Sequence, residues 1–207
     1  MKLIKVCGLT SNLESKRVTL IPEVDFIGFI FAEQSPRFTQ QATPSFGKQR
    51  VGVFVNASLE TIRLAIDEHL LTAVQLHGDE TPEFCTQLPN NILVIKAFGI
   101  QTTADLEVTS AYSHVVDYFL FDTKSDQRGG SGKTFDWEIL AHYKGPRSFF
   151  LSGGIGMDTL VSLKQFDHPF CIGFDLNSCF ETAPCVKNVA LINTFIQQLQ
   201  HENTILS

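Results

Sequence analysis

A parallel (β/α)₈ barrel is the α/β fold this sequence predicts, on three observations. Eight short apolar runs recur along the chain. Each is rich in Val, Ile, Phe or Leu, as strands buried on both faces must be. Their starts lie about 20–30 residues apart, room for a helical crossover between parallel neighbours. An open doubly wound sheet has the same periodicity, but the GxGxxG fingerprint of its dinucleotide-binding version is missing after the first run. The barrel is therefore the reading adopted, as a single domain over 1–207.

The predicted strands are KLIKVC (2–7), DFIGFIF (25–31), RVGVFV (50–55), TAVQLH (72–77), ILVIKAF (92–98), YFLFD (118–122), SFFLS (148–152) and CIGFDL (171–176). Between them, SNLESKRVTL opens on a capping residue and MDTLVSLKQF is short but helix-compatible. In SLETIRLAIDEHL, Leu59, Ile62 and Ile66 share one face behind a Ser58 cap; in NVALINTFIQQL, Val189, Ile192, Ile196 and Leu199 form a similar stripe. The stretch FTQQATPSFGKQ contains Pro44 and Gly47, so the helix after the second strand should be short or missing.

Composition narrows the function. With 43% hydrophobic and 18% charged residues the chain can bury a substantial core. A net charge of −6 argues against nucleic acid as a partner, and no apolar run approaches a membrane span. The opening MKLIKVCG is too short an apolar stretch for a signal peptide and reads better as a strand. Five cysteines at irregular spacing, without a CxxC pair, suit reduced thiols in a cytoplasmic protein. The six histidines do not cluster, so no metal site is expected.

In a barrel of this kind the active residues sit where strands run into their C-terminal loops. The first strand ends in Cys7-Gly8 and the fourth in Gln75, His77, Gly78 and Asp79. The sixth ends in Asp122, the seventh in Ser152-Gly153-Gly154, and the eighth in Asp175, Asn177 and Ser178; Arg37 lies in the loop after the second. Gly153 and Gly154, with Asn177 and Ser178, fit the usual phosphate site after strands seven and eight, although a double glycine can also be just a tight turn. GGSGKT (129–134) is not a P-loop, because that pattern needs glycine where Gln127 stands; it reads as a lid or as a flexible connection. Asp122 closes an apolar strand, so it either faces the mouth, caps the next helix or pairs with Lys124. Arg37 is the obvious anchor for a carboxylate or phosphate, or an exposed surface arginine. His77 is a base or a hydrogen-bonded structural group. Position alone thus points to a barrel enzyme for a small phosphorylated anion, with Cys7 and Asp122 as candidates for proton transfer.

KVCGLT, GFIF…SPRF, RVGVFVN, VQLHGDE, VIKAFGI, FDTK…GGSGKTFDW, LSGGI and DLNS follow one another in this order over nearly the whole chain. The ordered set resembles the phosphoribosylanthranilate isomerases, (β/α)₈ barrels of tryptophan biosynthesis. The resemblance implies an Amadori rearrangement of an aminoaldose to an aminoketose, with no cofactor or metal. It places the general base on Cys7, the general acid on Asp122, the substrate's carboxylate on Arg37, and its phosphate near Gly132, Gly153, Gly154, Asn177 and Ser178. Such a base needs a lowered thiol pKa, for which Lys5, two residues earlier on the same strand face, can supply the charge. Members occur as monomers and homodimers.

The chain departs from the family pattern in having Cys179 and Cys185 where glycines are usual and Asn188 where an aspartate is usual. Two other functions are weighed beside the isomerase. One is a dual-specificity enzyme also serving the related histidine-pathway aminoaldose, which would want a second phosphate site; the early loops hold no second glycine cluster. The other is a non-catalytic barrel binding a phosphorylated metabolite.

Overall fold

The structure, a computed structural model, describes residues 2–42, 47–123 and 136–200. Its elements in chain order are β1 (Leu3–Val6), α1 (Leu13–Val18), β2 (Phe26–Ile30), β3 (Gln49–Phe54), α2 (Leu59–His69), β4 (Ala73–Leu76) and α3 (Pro82–Cys85). There follow β5 (Leu93–Ile100), a 3₁₀ segment (Thr103–Tyr112), β6 (Tyr118–Thr123), a second 3₁₀ segment (Trp137–His142) and β7 (Phe149–Leu151). A 3₁₀ turn (Met157–Thr159) leads into α4 (Leu160–Gln165) and β8 (Cys171–Leu176). The chain then makes a last 3₁₀ turn (Ser178–Phe180), a hairpin of β9 (Glu181–Ala183) and β10 (Val186–Lys187), and α5 (Val189–Gln200). Strands β1 to β8 pair in sequence, all parallel, and β8 returns to β1, so the sheet closes as a barrel without free edges.

All eight expected strands form, displaced by a residue or two at their ends. Their two faces bury separate cores. Cys7, Phe26, Val51, Val53, Ala73, Ile95, Ala97, Leu120 and Phe150 fill the barrel interior. The larger cluster lies between the strands and the surrounding helices. The helical stripes dock as their periodicity requires: α2 buries Ile62 and Ile66 behind Ser58, whose side chain accepts from the Thr61 N–H, and α5 buries Ile192, Phe195 and Ile196.

Residues 31–42 form no helix after β2, in line with the breakers that follow them. The crossover after β5, and the described part of the crossover after β6 (136–148), are also not α-helical. In 103–112 the hydroxyls of Thr109 and Ser110 donate to the carbonyls three residues back, as does that of Ser113 just beyond. Such local bonding, with β-branched Thr and Val, favours the tighter turn. The β9–β10 hairpin was not expected from the sequence; its turn holds Pro184 and Cys185, and Cys185 takes a left-handed φ of 67°.

Candidate active site

Because side chains alternate along a strand, the inward row of β1 runs from Lys5 to Cys7 and that of β4 from Gln75 to His77. In β6 it runs from Leu120 to Asp122, and in β8 Asp175 faces Lys5. The apolar filling therefore gives way to polar groups at the C-terminal end of the barrel. Lys5 is fully buried and donates to Asp175 Oδ1 at 2.9 Å.

Cys7 lies just past β1, its N–H bonded to the Leu176 carbonyl at 2.9 Å, and is 3% exposed. Gly8 follows with φ 75°, and a Cβ there would stand 2.7 Å from Asn177 Oδ1 and 2.8 Å from Arg37 Cδ. Only glycine lets the chain turn off the strand so close to both groups. The depressed thiol pKa expected from Lys5 is not what the site produces. Burial pushes the Cys7 thiol up; Lys5 and Lys187 pull it down and Asp175 adds to the rise, and burial wins.

Asp122, one residue before the end of β6, faces the mouth with its side chain 14% exposed. Burial raises its pKa to about 6, against a weaker opposing bond from the Thr123 N–H. His77 Nε2 stands 3.7 Å from Asp122 Oδ2, and its Nδ1 is 2.9 Å from Gln75 Nε2. His77 is thus tethered next to the carboxyl, which supports the hydrogen-bonded reading. The Gly153 backbone, at φ 86°, packs against the same carboxyl: a Cβ there would lie 2.8 Å from Asp122 Oδ1. Gly154 is left-handed too, with φ 65°.

Arg37 is not a surface arginine. Its Nε donates to both Glu181 oxygens at 3.0 Å, and its Nη2 to Oε2 at 2.7 Å. Glu181 Oε1 also accepts from the buried Lys187 Nζ at 2.7 Å. Lys187 donates further to the Asn177 carbonyl at 3.3 Å and to Asn177 Oδ1 at 2.9 Å. Burial works against the Glu181 charge, but Arg37 and Lys187 outweigh it and hold the carboxyl below its ordinary range. The Asn177 side-chain oxygen and its carbonyl therefore both accept from Lys187.

The structure brings Cys7, Arg37 and Asn177 together around Gly8, and Asp122 together with Gly153. Gly132, the GGSGKT segment and the Asp122–Lys124 pairing lie outside the described residues. Glu181 and Lys187 escaped the sequence reading. The signal for them was Pro184 between two charged residues, which marks a turn that folds both back onto the mouth. Among the described residues no group of three His, Cys, Asp or Glu could hold a metal ion, and no helix is long and apolar enough to cross a membrane.

A sequence model of the N-(5′-phosphoribosyl)anthranilate (PRA) isomerase family matches residues 4–198. The chain belongs to the PRA isomerase family. It is 46% identical over 203 residues to the N-(5′-phosphoribosyl)anthranilate isomerase of Phocaeicola vulgatus, covering 97% of this chain and 98% of that one. Its identity to the Parabacteroides distasonis enzyme is 44% over 208 residues, covering 96% and 94%. The crystal structure of the Thermotoga maritima PRA isomerase superposes with a TM-score of 0.82 at 34% identity, over 97% of this chain and all of that one. Membership makes the chain an isomerase, and it accounts for the closed barrel and for polar groups gathered at one end.

Proposed function

We propose that this barrel isomerises N-(5′-phosphoribosyl)anthranilate, the step of tryptophan biosynthesis that its family serves, with Cys7 as base and Asp122 as acid. The observation that carries the pairing is Asp122 itself. It is a carboxyl at the barrel mouth whose burial brings its pKa to about 6, so it holds a usable proton near neutrality. Cys7 stands three strands away around the same mouth.

The steps follow from those two groups. Asp122 gives its proton to the furanose ring oxygen. The C1′–O bond breaks and the nitrogen lone pair forms a protonated Schiff base at C1′. The iminium acidifies the C2′ proton, which the Cys7 thiolate removes, and the C2′–H electron pair becomes the double bond of an enolamine. Tautomerisation then moves the hydroxyl proton from O2′ and delivers a proton to C1′. C2′ ends as a ketone and C1′ as a methylene, so one carbon is oxidised as its neighbour is reduced and no external oxidant enters.

Arg37 would hold the anthranilate carboxylate. The phosphate would meet backbone N–H groups at Gly153, Gly154, Asn177 and Ser178, with Gly132 as a further candidate. Lys5 and Lys187 both oppose protonation of Cys7, which gives the thiolate two buried cations as partners once it forms.

The test is a fluorescence assay following loss of phosphoribosylanthranilate. Turnover is expected from the unsubstituted protein and should fall by several orders of magnitude in Cys7→Ala and in Asp122→Asn. No turnover at high protein concentration would favour the non-catalytic binding barrel, and near-normal rates in both variants would remove the assigned roles.

A further inference from the structure

A guanidinium has two planar edges that can each grip a carboxylate through parallel N–H bonds, Nε with Nη2 and Nη1 with Nη2. In Arg37 the first edge is taken by Glu181, through bonds of 3.0, 3.0 and 2.7 Å. The second makes no hydrogen bond within the described residues. Glu181 is itself fixed, 4% exposed and shared with Lys187, which is 0% exposed and anchored on Asn177. The stem of Arg37 runs over Gly8, next to Cys7. Two cations share this one carboxylate, so the trio keeps a net positive charge and still attracts an anion. A lone arginine would lose rotamer freedom on binding; one already clamped along a single edge does not.

We propose that Glu181 is a positioning residue for the substrate's carboxylate: by occupying the Nε–Nη2 edge of Arg37 it presents the Nη1–Nη2 edge beside Cys7, and so sets the preference for an ortho-carboxylated aryl amine over a plain one. This rests on the substrate class proposed above. Lys187 belongs to the same device, because it offsets the charge that Glu181 takes from the anion site.

The experiment measures binding by calorimetry and so does not depend on turnover. The ligands are reduced 1-(o-carboxyphenylamino)-1-deoxyribulose 5-phosphate and its counterpart lacking the carboxylate. The unsubstituted protein should prefer the carboxylated ligand by about 10–100-fold, the usual worth of a charge-assisted pair. Glu181→Gln should cut that preference about tenfold while the plain ligand binds within about twofold of normal, which also reports an intact barrel. Arg37→Ala should abolish the preference, and adding Glu181→Gln to it should change nothing more. Should Glu181→Gln fail to fold, Glu181→Asp keeps the charge but shortens the reach, and should lose preference in the same sense. The inference is overturned by an unchanged preference, by equal weakening of both ligands, or by a Glu181 effect that persists without Arg37. Binding of neither ligand to the unsubstituted protein would instead remove the substrate class, and this inference with it.

Discussion

Two carboxylates at the mouth of this barrel are both well buried, yet they are driven in opposite directions. Glu181 is 4% exposed and held below its ordinary range, while Asp122 is 14% exposed and raised to about 6. Burial pushes both upward, so burial does not separate them. Cations do. Glu181 bonds directly to Arg37 and Lys187, whereas among the described residues Asp122 accepts from one backbone N–H, has an imidazole at 3.7 Å and feels Lys5 only at a distance. The β1–β8 side of the mouth is thus built to hold fixed charge, and the β6 side to hold a proton that can leave.

The largest expected effect is on turnover. Asp122→Asn and Cys7→Ala should each lower kcat by about 10²–10⁴-fold, the usual contribution of a positioned acid or base. An Asp122→Asn enzyme that kept its rate would break the contrast, because the raised carboxyl would then have no catalytic task.

The pH profile of kcat/KM sharpens it next. On the roles proposed above, the working form needs Asp122 protonated and Cys7 ionised at once, a minor tautomer of the pair with a thiol and a carboxylate. Its fraction is constant between the two pKa values. Below about pH 6 Asp122 is already protonated and the thiolate fraction keeps falling. Above the thiol pKa the thiolate is saturated and protonated Asp122 keeps falling. The profile should therefore be flat through neutrality and drop on both sides. A decline that begins as pH rises through 6 would show instead that the thiol ionises before Asp122.

Stability gives a smaller effect of opposite sign. A carboxyl raised from 3.8 to about 6 on folding costs the native state of order 3 kcal/mol well above pH 6, and almost nothing at pH 3 where both states are largely protonated. Asp122→Asn should then raise the melting temperature at pH 8 and leave it unchanged at pH 3, even as it removes activity. Glu181, with its lowered value, works the other way: it adds stability above the unfolded pKa that is lost as pH falls through the folded one. The smallest effect concerns the hairpin that carries Glu181 and Lys187. Cys185→Gly relieves a left-handed φ of 67° in a residue with a Cβ, and should stabilise by about 0.5–1 kcal/mol in a denaturant titration.

Much of this was legible in the sequence because its signals are periodic or positional. Buried parallel strands need continuous apolar runs, and that alone located β1 to β8 to within a residue or two. The ends of those runs then named Cys7, Asp122, Asn177 and the Gly153-Gly154 pair. Three things were not legible. The 3₁₀ form of 103–112 depends on hydroxyls competing for carbonyls, which a helix-length interval does not reveal. The Glu181–Arg37 clamp joins residues 144 positions apart, and no local pattern encodes such a pairing. The state of Cys7 was expected from one neighbouring lysine, but it is a sum over burial, two cations and Asp175.

Those same surroundings decide how the protein meets oxidants. Among its five cysteines, Cys179 is exposed and Cys185 partly so, whereas Cys7, Cys85 and Cys171 are buried. Peroxides and alkylating reagents attack a reachable thiolate. Cys7 is 3% exposed and burial pushes its thiol pKa up. By exposure Cys179 meets such reagents first, although burial raises its thiol pKa too, while Cys7, the base proposed above, is screened by burial.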